Sequence, residues 1–378
     1  MKHTSGKLKS GIFAATGAAM LLGAATAARA QMPPRLFVAN LANGANSVTN
    51  YKLSDNGNVA PQLHITGTST KLYFGAALPN VEAGAVALDS RGNIYVASYG
   101  NSSVVEYSPN PADGNLAPTA EISGANTGLS GPTAIALDST DNIYVTDYQG
   151  AVLVFAAGSH GDVSPTSKVS GTITGADGTG LSAPEGIAVD SHGNIYVTNS
   201  KTDTINIYPA GSNGQKAPNN AAECASDGPN ATICGSKAEL HTPKGIAIDA
   251  NGNIYVANYG NDSVTVYAQG SHGNAAPRAI VTGDATGIGD PWGIVLDSSG
   301  NLYVANSSNS EPGLFVADSG HTDSITVYSA AQVSSGGNVA PIATISGGNT
   351  NLKAPGGIAI GPSSALGTAT ANAKSSSI

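Results

Sequence analysis

One position in the sequence recurs two residues before each copy of a short apolar run, and its residue type varies widely. In chain order it is occupied by Gly84, Thr133, Glu185, Lys244, Trp292 and Gly356. Copies of a purely structural position should resemble one another, whereas this one carries an acid, a base and the chain's only Trp. Together these groups could offer a ligand an acceptor, a donor and an apolar surface. We therefore consider Glu185, Lys244 and Trp292 candidate ligand-binding residues, with local structural roles as the alternative.

A second recurring position closes each copy of a neighbouring run of the type Ile-Tyr-Val. It holds Asn40, Ser98, Asp147, Asn199, Asn258 and Asn306. Asn and Asp at strand ends usually satisfy nearby backbone groups, so a structural role is favoured and ligand binding is the alternative. Asp147 is the only acid of this set, and with Glu185 it could share a divalent cation such as calcium. The sequence contains no spaced metal-binding motif, so no metal ligand is assigned.

The remaining reactive side chains do not form a recognisable catalytic set. His241 and His321 are expected near the same face as the candidate residues, but neither is paired with a nucleophile in the sequence. Catalytic residues are therefore left unassigned. The only two cysteines, Cys224 and Cys234, close a short loop, and in an exported chain this favours a disulfide over a metal or redox pair.

Two apolar runs recur along the chain and define the elements that carry these positions. The first run ends at Asp89, Asp138, Asp190, Asp249 and Asp297, which are 49, 52, 59 and 48 residues apart. That spacing is near the roughly 40–50 residues of a propeller blade. Each repeat contains four strand-like runs separated by Gly, Asn, Ser and Pro, which predicts four-stranded antiparallel blades.

The turn between the two runs has a clear mechanism. The pattern Asp-x-x-Gly-Asn places Gly92, Gly193, Gly252 or Gly300 where the backbone needs a positive φ. The preceding Asp can accept hydrogen bonds from turn amides, so we interpret the five Asp residues as structural. Asp141 replaces the Gly in one copy, so a turn of different form is expected there. The repeated Tyr is interpreted as core packing with its hydroxyl at a polar edge.

The combined pattern resembles a known repeat. The residues 243–249 (Pro-Lys-Gly-Ile-Ala-Ile-Asp), 252–258 (Gly-Asn-Ile-Tyr-Val-Ala-Asn) and 260–264 (Gly-Asn-Asp-Ser-Val) are similar to the NHL-repeat family of β-propellers. The resemblance implies an all-β, six-bladed β-propeller over residues 31–361. The last innermost strand, in residues 355–361, is expected to join the N-terminal blade and close the ring.

The resemblance says less about activity, because this fold hosts scaffolds, lyases and lactonases. Propeller lyases include virginiamycin B lyase and the peptide-amidating lyase, and lactonases of the gluconolactonase type hold a divalent metal in the channel. Asp147, Glu185, Asn199 and Asn258 offer oxygen atoms of the kind such a metal needs. None of these families' catalytic motifs can be matched residue by residue.

The ends of the chain and its charge bear on location and partners. Residues 1–30 have the charged start, apolar core and small-x-small site of a secretory signal, with cleavage near Ala30, so a secreted or periplasmic protein is expected. Loss of the four basic residues in that segment changes the net charge from −9 to −13, which argues against nucleic acid or an anionic membrane as partner. No later segment is expected to span a membrane. Residues 362–378 are predicted to be a disordered tail.

The leading hypothesis is a non-enzymatic binding module that is monomeric and presents one end of its central channel to a small molecule, glycan or protein. The alternative is a propeller lyase or a metal-dependent lactonase-type hydrolase with a divalent cation in the channel. A structural role in the cell envelope is a third possibility.

Overall fold

The computed structural model describes residues 1, 32–41, 46–74, 84–170, 180–214, 232–307 and 322–363. These residues form 24 β-strands, four short 3-10 helices and one short α-helix, α1 (Ala330–Ser335). In chain order the strands are β1 (Met32–Asn40), β2 (Ser47–Lys52), β3 (Leu63–Thr66), β4 (Gly84–Leu88), β5 (Ile94–Ser98), β6 (Ser103–Tyr107), β7 (Ala120–Ile122), β8 (Pro132–Leu137), β9 (Ile143–Asp147), β10 (Ala151–Phe155), β11 (Ser167–Ser170), β12 (Pro184–Val189), β13 (Ile195–Asn199), β14 (Thr204–Tyr208), β15 (Thr232–Ile233), β16 (Pro243–Ile248), β17 (Ile254–Asn258), β18 (Ser263–Tyr267), β19 (Ala279–Thr282), β20 (Pro291–Leu296), β21 (Leu302–Asn306), β22 (Ser324–Tyr328), β23 (Ala343–Ser346) and β24 (Pro355–Ser363).

The strands form six four-stranded antiparallel sheets, as the repeat pattern predicts. From the inside outwards, blade 1 is β24-β1-β2-β3, blade 2 is β4 to β7, blade 3 is β8 to β11, blade 4 is β12 to β15, blade 5 is β16 to β19 and blade 6 is β20 to β23. Apolar side chains of neighbouring sheets pack between the blades. The most buried large ones are Tyr and Phe at the ends of the third strands, such as Tyr267 and Phe155. The six-bladed β-propeller is confirmed.

The ring of blades is closed at two places, one near the central axis and one at the outer rim. Near the axis, β24 pairs with β1, so that the end of the described chain provides the innermost strand of blade 1. At the rim, Gly57 of blade 1 forms a bridge with Ile345 of blade 6. An equivalent rim bridge joins each of the remaining five pairs of neighbouring blades, from Ile65↔Gly114 to Val281↔Gly337. Closure thus satisfies the sheet edges that an open array would expose.

The inner turns have the predicted structural Asp. In blade 5, Asp249 Oδ1 accepts hydrogen bonds from the backbone N–H groups of Asn251 and Asn253, and Oδ2 accepts from the Asn253 side chain and the Tyr255 hydroxyl. Gly252 has φ 79° there. Asp141, which stands in place of the Gly in blade 3, adopts the same left-handed region at φ 64°, so the expectation of a different turn form was wrong. Asp tolerates this conformation better than most residues.

These hydrogen bonds also set the acidity of the turn. Burial alone would raise the pKa of the Asp249 carboxyl, but the bonds from Asn253, Tyr255 and Asn251 outweigh it and hold that pKa below its usual value. The pKa values of Asp138 and Asp190 are lowered in the same way. Burial together with the neighbouring Asp249 raises the pKa of Tyr255 to about 12. The carboxylates are therefore part of the fold and are ionised at neutral pH.

In blade 4 a long segment separates the third strand from the fourth, and the Gly, Asn, Ser and Ala residues at 210–231 give it an irregular sequence, predicted for residues 219–240. The structure places the fourth strand inside that predicted range, because β15 occupies Thr232–Ile233 and pairs with β14. The connection from Gly214 to Thr232 joins strands three and four, so both its anchor points lie on the face opposite the candidate residues. Cys234 follows β15 and is buried. Cys224 lies outside the described residues, so the Cys224–Cys234 disulfide stays a prediction, as does the signal in residues 1–30. Pro362 and Ser363 belong to β24, so the prediction of a tail stays for residues 364–378.

Candidate functional site

The candidate residues lie at one end of the central channel. In each blade the start of the innermost strand pairs with the end of the second strand, as in Pro184↔Asn199, Pro243↔Asn258 and Pro291↔Asn306. The two recurring positions therefore meet on one face, which we call the top face, and its central opening we call the mouth. The Asp-x-x-Gly-Asn turns lie at the other end of the same strands, on the bottom face.

The channel below the mouth is narrow. Its cavity has a volume of about 70 Å³, and Thr133, Glu185 and Trp292 are among the side chains that line it. A Cβ on Gly186 would lie 2.2 Å from the Lys244 carbonyl oxygen of the next blade, and one on Gly245 would lie 2.5 Å from that of Trp292. Glycine at these positions lets the inner strands approach closely. The remaining space suits a few water molecules and is well below the roughly 300 Å³ of a small ligand pocket. A ligand would have to bind over the mouth.

The structure brings Glu185, Lys244 and Trp292 together from blades 4, 5 and 6. Lys244 Nζ lies 3.0 Å from Glu185 Oε1, and the two side chains are only 12% and 8% exposed. The same ammonium lies 4.2 Å from the centroid of the Trp292 ring and 5.5 Å from that of Tyr259. The two rings are in edge-to-face contact, with centroids 5.9 Å apart. We call these four residues the mouth cluster.

The ring of Asn residues has a different environment. Asn40, Asn199, Asn258 and Asn306 are at most 1% exposed. In blade 5 the Asn258 side-chain oxygen accepts from His241 N–H, and its amide nitrogen donates to Ser263 Oγ and Thr265 Oγ1. The other three make equivalent bonds to the loop before the innermost strand and to the third strand. This geometry favours the structural interpretation for the Asn ring.

Asp147 replaces Asn in blade 3 for a local reason. Its Oδ2 accepts from Ser130 N–H and Gly131 N–H, and its Oδ1 accepts from Gln149 N–H. Residue 151, opposite it on the third strand, is Ala, so the hydroxyl that accepts from Asn in other blades is absent. Burial raises the pKa of the Asp147 carboxyl, and the three backbone bonds oppose that rise. The carboxylate therefore serves the turn.

The two carboxylates proposed to share a cation are both engaged elsewhere. Glu185 is paired with the Lys244 ammonium, and both oxygens of Asp147 accept backbone hydrogen bonds. In the part of the chain that the structure describes, no group of three His, Cys, Asp or Glu side chains is placed to hold a metal ion. The calcium hypothesis thus gains no support from the donor set.

The sequence interpretation missed three tyrosines at the mouth. They occupy the position after the Asn ring, which reads Leu41, Tyr99, Tyr148, Ser200, Tyr259 and Ser307. Tyr259 belongs to the mouth cluster, while Tyr99 and Tyr148 form a second edge-to-face pair, with centroids 6.2 Å apart. Burial, with smaller effects from Tyr148, Asp147 and Glu185, raises the pKa of Tyr99. Three aromatic residues in one sixfold set were the available signal.

The histidines do not add a catalytic arrangement among the described residues. His241 Nε2 lies 4.0 Å from Glu239 Oε2, and both side chains are half exposed. His321 lies outside the described residues.

None of the helices formed by the described residues has the length and hydrophobicity required to cross a bilayer.

The fold and the site define the class of protein: a six-bladed β-propeller with a polar and aromatic cluster at one mouth. Residues 240–267 and 289–311 match the NHL repeat, and residues 71–104 match the SBBP β-propeller repeat. The chain therefore contains NHL-type repeats within its β-propeller. No curated protein matches the sequence significantly.

Solved structures support the architecture. A protein of unknown function from Bacteroides caccae is 13% identical, with 87% of this chain and 98% of that chain covered and a TM-score of 0.56. A functionally unknown protein from Desulfotomaculum acetoxidans is 14% identical over the same shares, with a TM-score of 0.50. Virginiamycin B lyase from Staphylococcus aureus is 14% identical, with 70% and 71% covered and a TM-score of 0.43. At these identities the first two structures show only that the fold is shared. The TM-score of the third is too low to support a conclusion about this chain.

Proposed function

We propose that this protein is a non-enzymatic binding module that uses the mouth cluster to hold a small molecule, or one end of a glycan or protein chain. The observation that carries this proposal is the nearly buried ion pair between Glu185 and Lys244, whose ammonium lies against the Trp292 ring. The pair joins blades 4 and 5, and Trp292 adds blade 6, all at the one repeated position where the blades differ most. The protein would act as a monomer, because a single closed ring contains the whole cluster.

The scaffold itself does not require this ion pair. The same position in blades 1, 2 and 3 holds Gly356, Gly84 and Thr133, and those blades complete the ring without a charge there. Removing two charges from water costs free energy that an apolar pair of similar size would not cost. A charged pair kept at such a position is therefore better explained by recognition than by stability.

Binding is preferred to catalysis because of how the polar groups are used. A lactonase-type hydrolase would need free carboxylate or amide oxygens around the mouth for a divalent cation. The side-chain oxygens of Asp147, Asn199 and Asn258 instead accept hydrogen bonds from backbone N–H groups. A lyase would need a general base or acid at the reacting atoms, and Glu185 is held by the Lys244 ammonium.

We also propose that the protein is exported, with cleavage near Ala30, and that Cys224 and Cys234 form a disulfide outside the cytoplasm. Both proposals rest on the sequence. Edman sequencing and thiol titration of the protein purified from its native compartment would test them. A retained residue 1 or two free thiols would contradict them.

The binding proposal can be tested with the chain's single Trp, because its emission reports on the mouth alone. A panel of metabolites and short glycans is screened for a change in Trp292 fluorescence. A true ligand should bind at least about tenfold more weakly to Glu185→Gln, a loss typical of one charge-assisted contact, and its affinity for Lys244→Gln should differ from that for the wild type. The matched control is Lys52→Ala, an exposed residue at the bottom end of β2, which should leave affinity unchanged.

Two outcomes would overturn the proposal. One is a ligand whose affinity is the same in all three variants, since it would bind elsewhere. The other is conversion of the bound compound to product, which would identify an enzyme.

A further inference from the structure

The mouth cluster has the geometry of a site for a positively charged nitrogen. Glu185 Oε1 supplies a negative charge 3.0 Å from the bound ammonium. Trp292 and Tyr259 supply two ring faces, with centroids 4.2 and 5.5 Å from it. Both distances lie within the roughly 6 Å at which cation–π attraction operates, and cages of this kind recognise ammonium ligands. In this structure the nitrogen in the cage belongs to Lys244 of the same chain.

We propose that Glu185, Tyr259 and Trp292 form a recognition site for an alkylammonium group, and that Lys244 is its resident competitor. This inference rests on the mouth being the binding site. It adds the chemical class of the ligand, a primary or substituted amine that is charged at neutral pH. It also adds a regulatory element, because the chain's own ammonium fills the cage until such a ligand replaces it.

The competitor can leave the cage without moving the scaffold. The Lys244 backbone is fixed, since Thr198 Oγ1 of blade 4 donates a 2.5 Å hydrogen bond to its carbonyl oxygen. Gly186 packs against the same carbonyl. Displacement therefore needs only rotation about the side-chain bonds of Lys244, whose charge is favourably hydrated once it points to solvent.

The exchange also keeps the charges balanced. An incoming ammonium takes over the pairing with Glu185, so no buried carboxylate is left alone, and breaking such a pair is the costly event. An anionic ligand would not have this advantage, because it would compete with Glu185 for Lys244 and leave that carboxylate unpaired. A neutral ligand would have to lie over an intact pair. The geometry thus favours a cation.

Resident Lys244 lowers the apparent affinity of the site. A ligand binds only to the fraction of molecules in which the cage is open, so its affinity is reduced by that fraction. Removing the Lys244 side chain should raise affinity for a simple amine by about 10- to 100-fold. In the intact protein the site would select amines that make a second contact on the top face.

The test restores the deleted part of the side chain as a free molecule. Lys244→Ala removes three carbons and the nitrogen, which n-propylammonium chloride supplies. Binding is followed by Trp292 emission and by the rise in melting temperature, with n-propanol as the uncharged control and potassium chloride as the salt control. We expect n-propylammonium to bind Lys244→Ala about 10- to 100-fold more tightly than the wild type. Adding Glu185→Gln should abolish that gain.

A second variant guards against misfolding of the first. Lys244→Thr introduces the residue that blade 3 carries at this position, so the scaffold accepts it. If both variants fold and neither responds to n-propylammonium beyond the salt control, the proposal is wrong. If n-propanol acts as well as the amine, the cavity is merely apolar and the proposal is also wrong.

The same experiment separates this inference from the proposed function. A metabolite without an amine that shifts Trp292 emission in the wild type, combined with no amine response in the variants, would keep the binding module and reject the ammonium site. An amine response in the variants without any wild-type ligand would keep the cage and reject the binding module.

Discussion

The two ends of strand β16 have opposite characters. At the bottom it leads into Asp249, whose hydrogen bonds to Asn253 and Tyr255 recur as the same residue types in blades 3, 4 and 6. At the top, its second residue is Lys244, and no other blade carries a Lys at the equivalent position. A sixfold ring imposes the same packing problem on each blade, so repetition marks the scaffold. A residue at the mouth that differs from its equivalents in the other blades is therefore not explained by packing of the scaffold.

Blade 1 shows that a residue can differ from the repeat without having a role in binding. There Gly361, Arg35 and Phe37 replace the Asp, Asn and Tyr of the bottom turn. All three changes have one cause, because β24 and β1 come from distant parts of the chain and no tight turn joins them. Loss of the turn removes the need for its hydrogen bonds. At the mouth no such change of topology occurs, so the divergence there needs a chemical explanation.

The largest effect should come from the Asn ring, which belongs to the scaffold although it lies at the mouth. Asn258→Ala removes three hydrogen bonds of a fully buried side chain, two of them buried, so we expect a loss of about 3 kcal/mol in the free energy of unfolding. Urea denaturation measures it, with exposed Asn251→Ala as the control. A loss no larger than the control's would move Asn258 from the scaffold to the site.

The bottom turn should give a smaller, pH-dependent effect. Asp249→Ala should cost about 2 kcal/mol at pH 7, because the carboxylate accepts several hydrogen bonds. The pKa of Asp249 is lower in the folded state, so its contribution is complete above the unfolded value near 3.8 and is lost as pH falls through the lower folded value. The destabilisation measured by thermal unfolding should therefore shrink in strong acid. Exposed Asp284→Ala should show little effect at either pH.

The mouth pair should give the smallest net effect. Lys244→Met alone leaves Glu185 unpaired and should cost about 2 kcal/mol, whereas Glu185→Gln with Lys244→Met should lie within about 1 kcal/mol of the wild type. A double-mutant cycle by urea denaturation gives both values. If the double variant were as unstable as Asp249→Ala, the mouth pair would be scaffold, and the contrast between the two ends of β16 would fail.

The sequence determined the repeating part of the protein. Six copies of the same runs predicted six blades, the joining of the chain ends in blade 1 and the structural role of residues such as Asp249, because each of these depends on contacts within one blade. Such contacts appear in the sequence as the same letters at the same spacing. The same logic placed Glu185, Lys244 and Trp292 on one face.

Only the tertiary structure decided what those three residues do to one another. Glu185 and Lys244 are 59 residues apart, and Trp292 belongs to a third blade, so their contact depends on the distance between blades and on side-chain rotamers. The missed Tyr259 completes the cage for the same reason. Sequence periodicity shows which positions are equivalent in the six blades. The contact of the Lys244 ammonium with Trp292 and Tyr259 also involves residues at two different repeated positions, and periodicity does not predict such a contact.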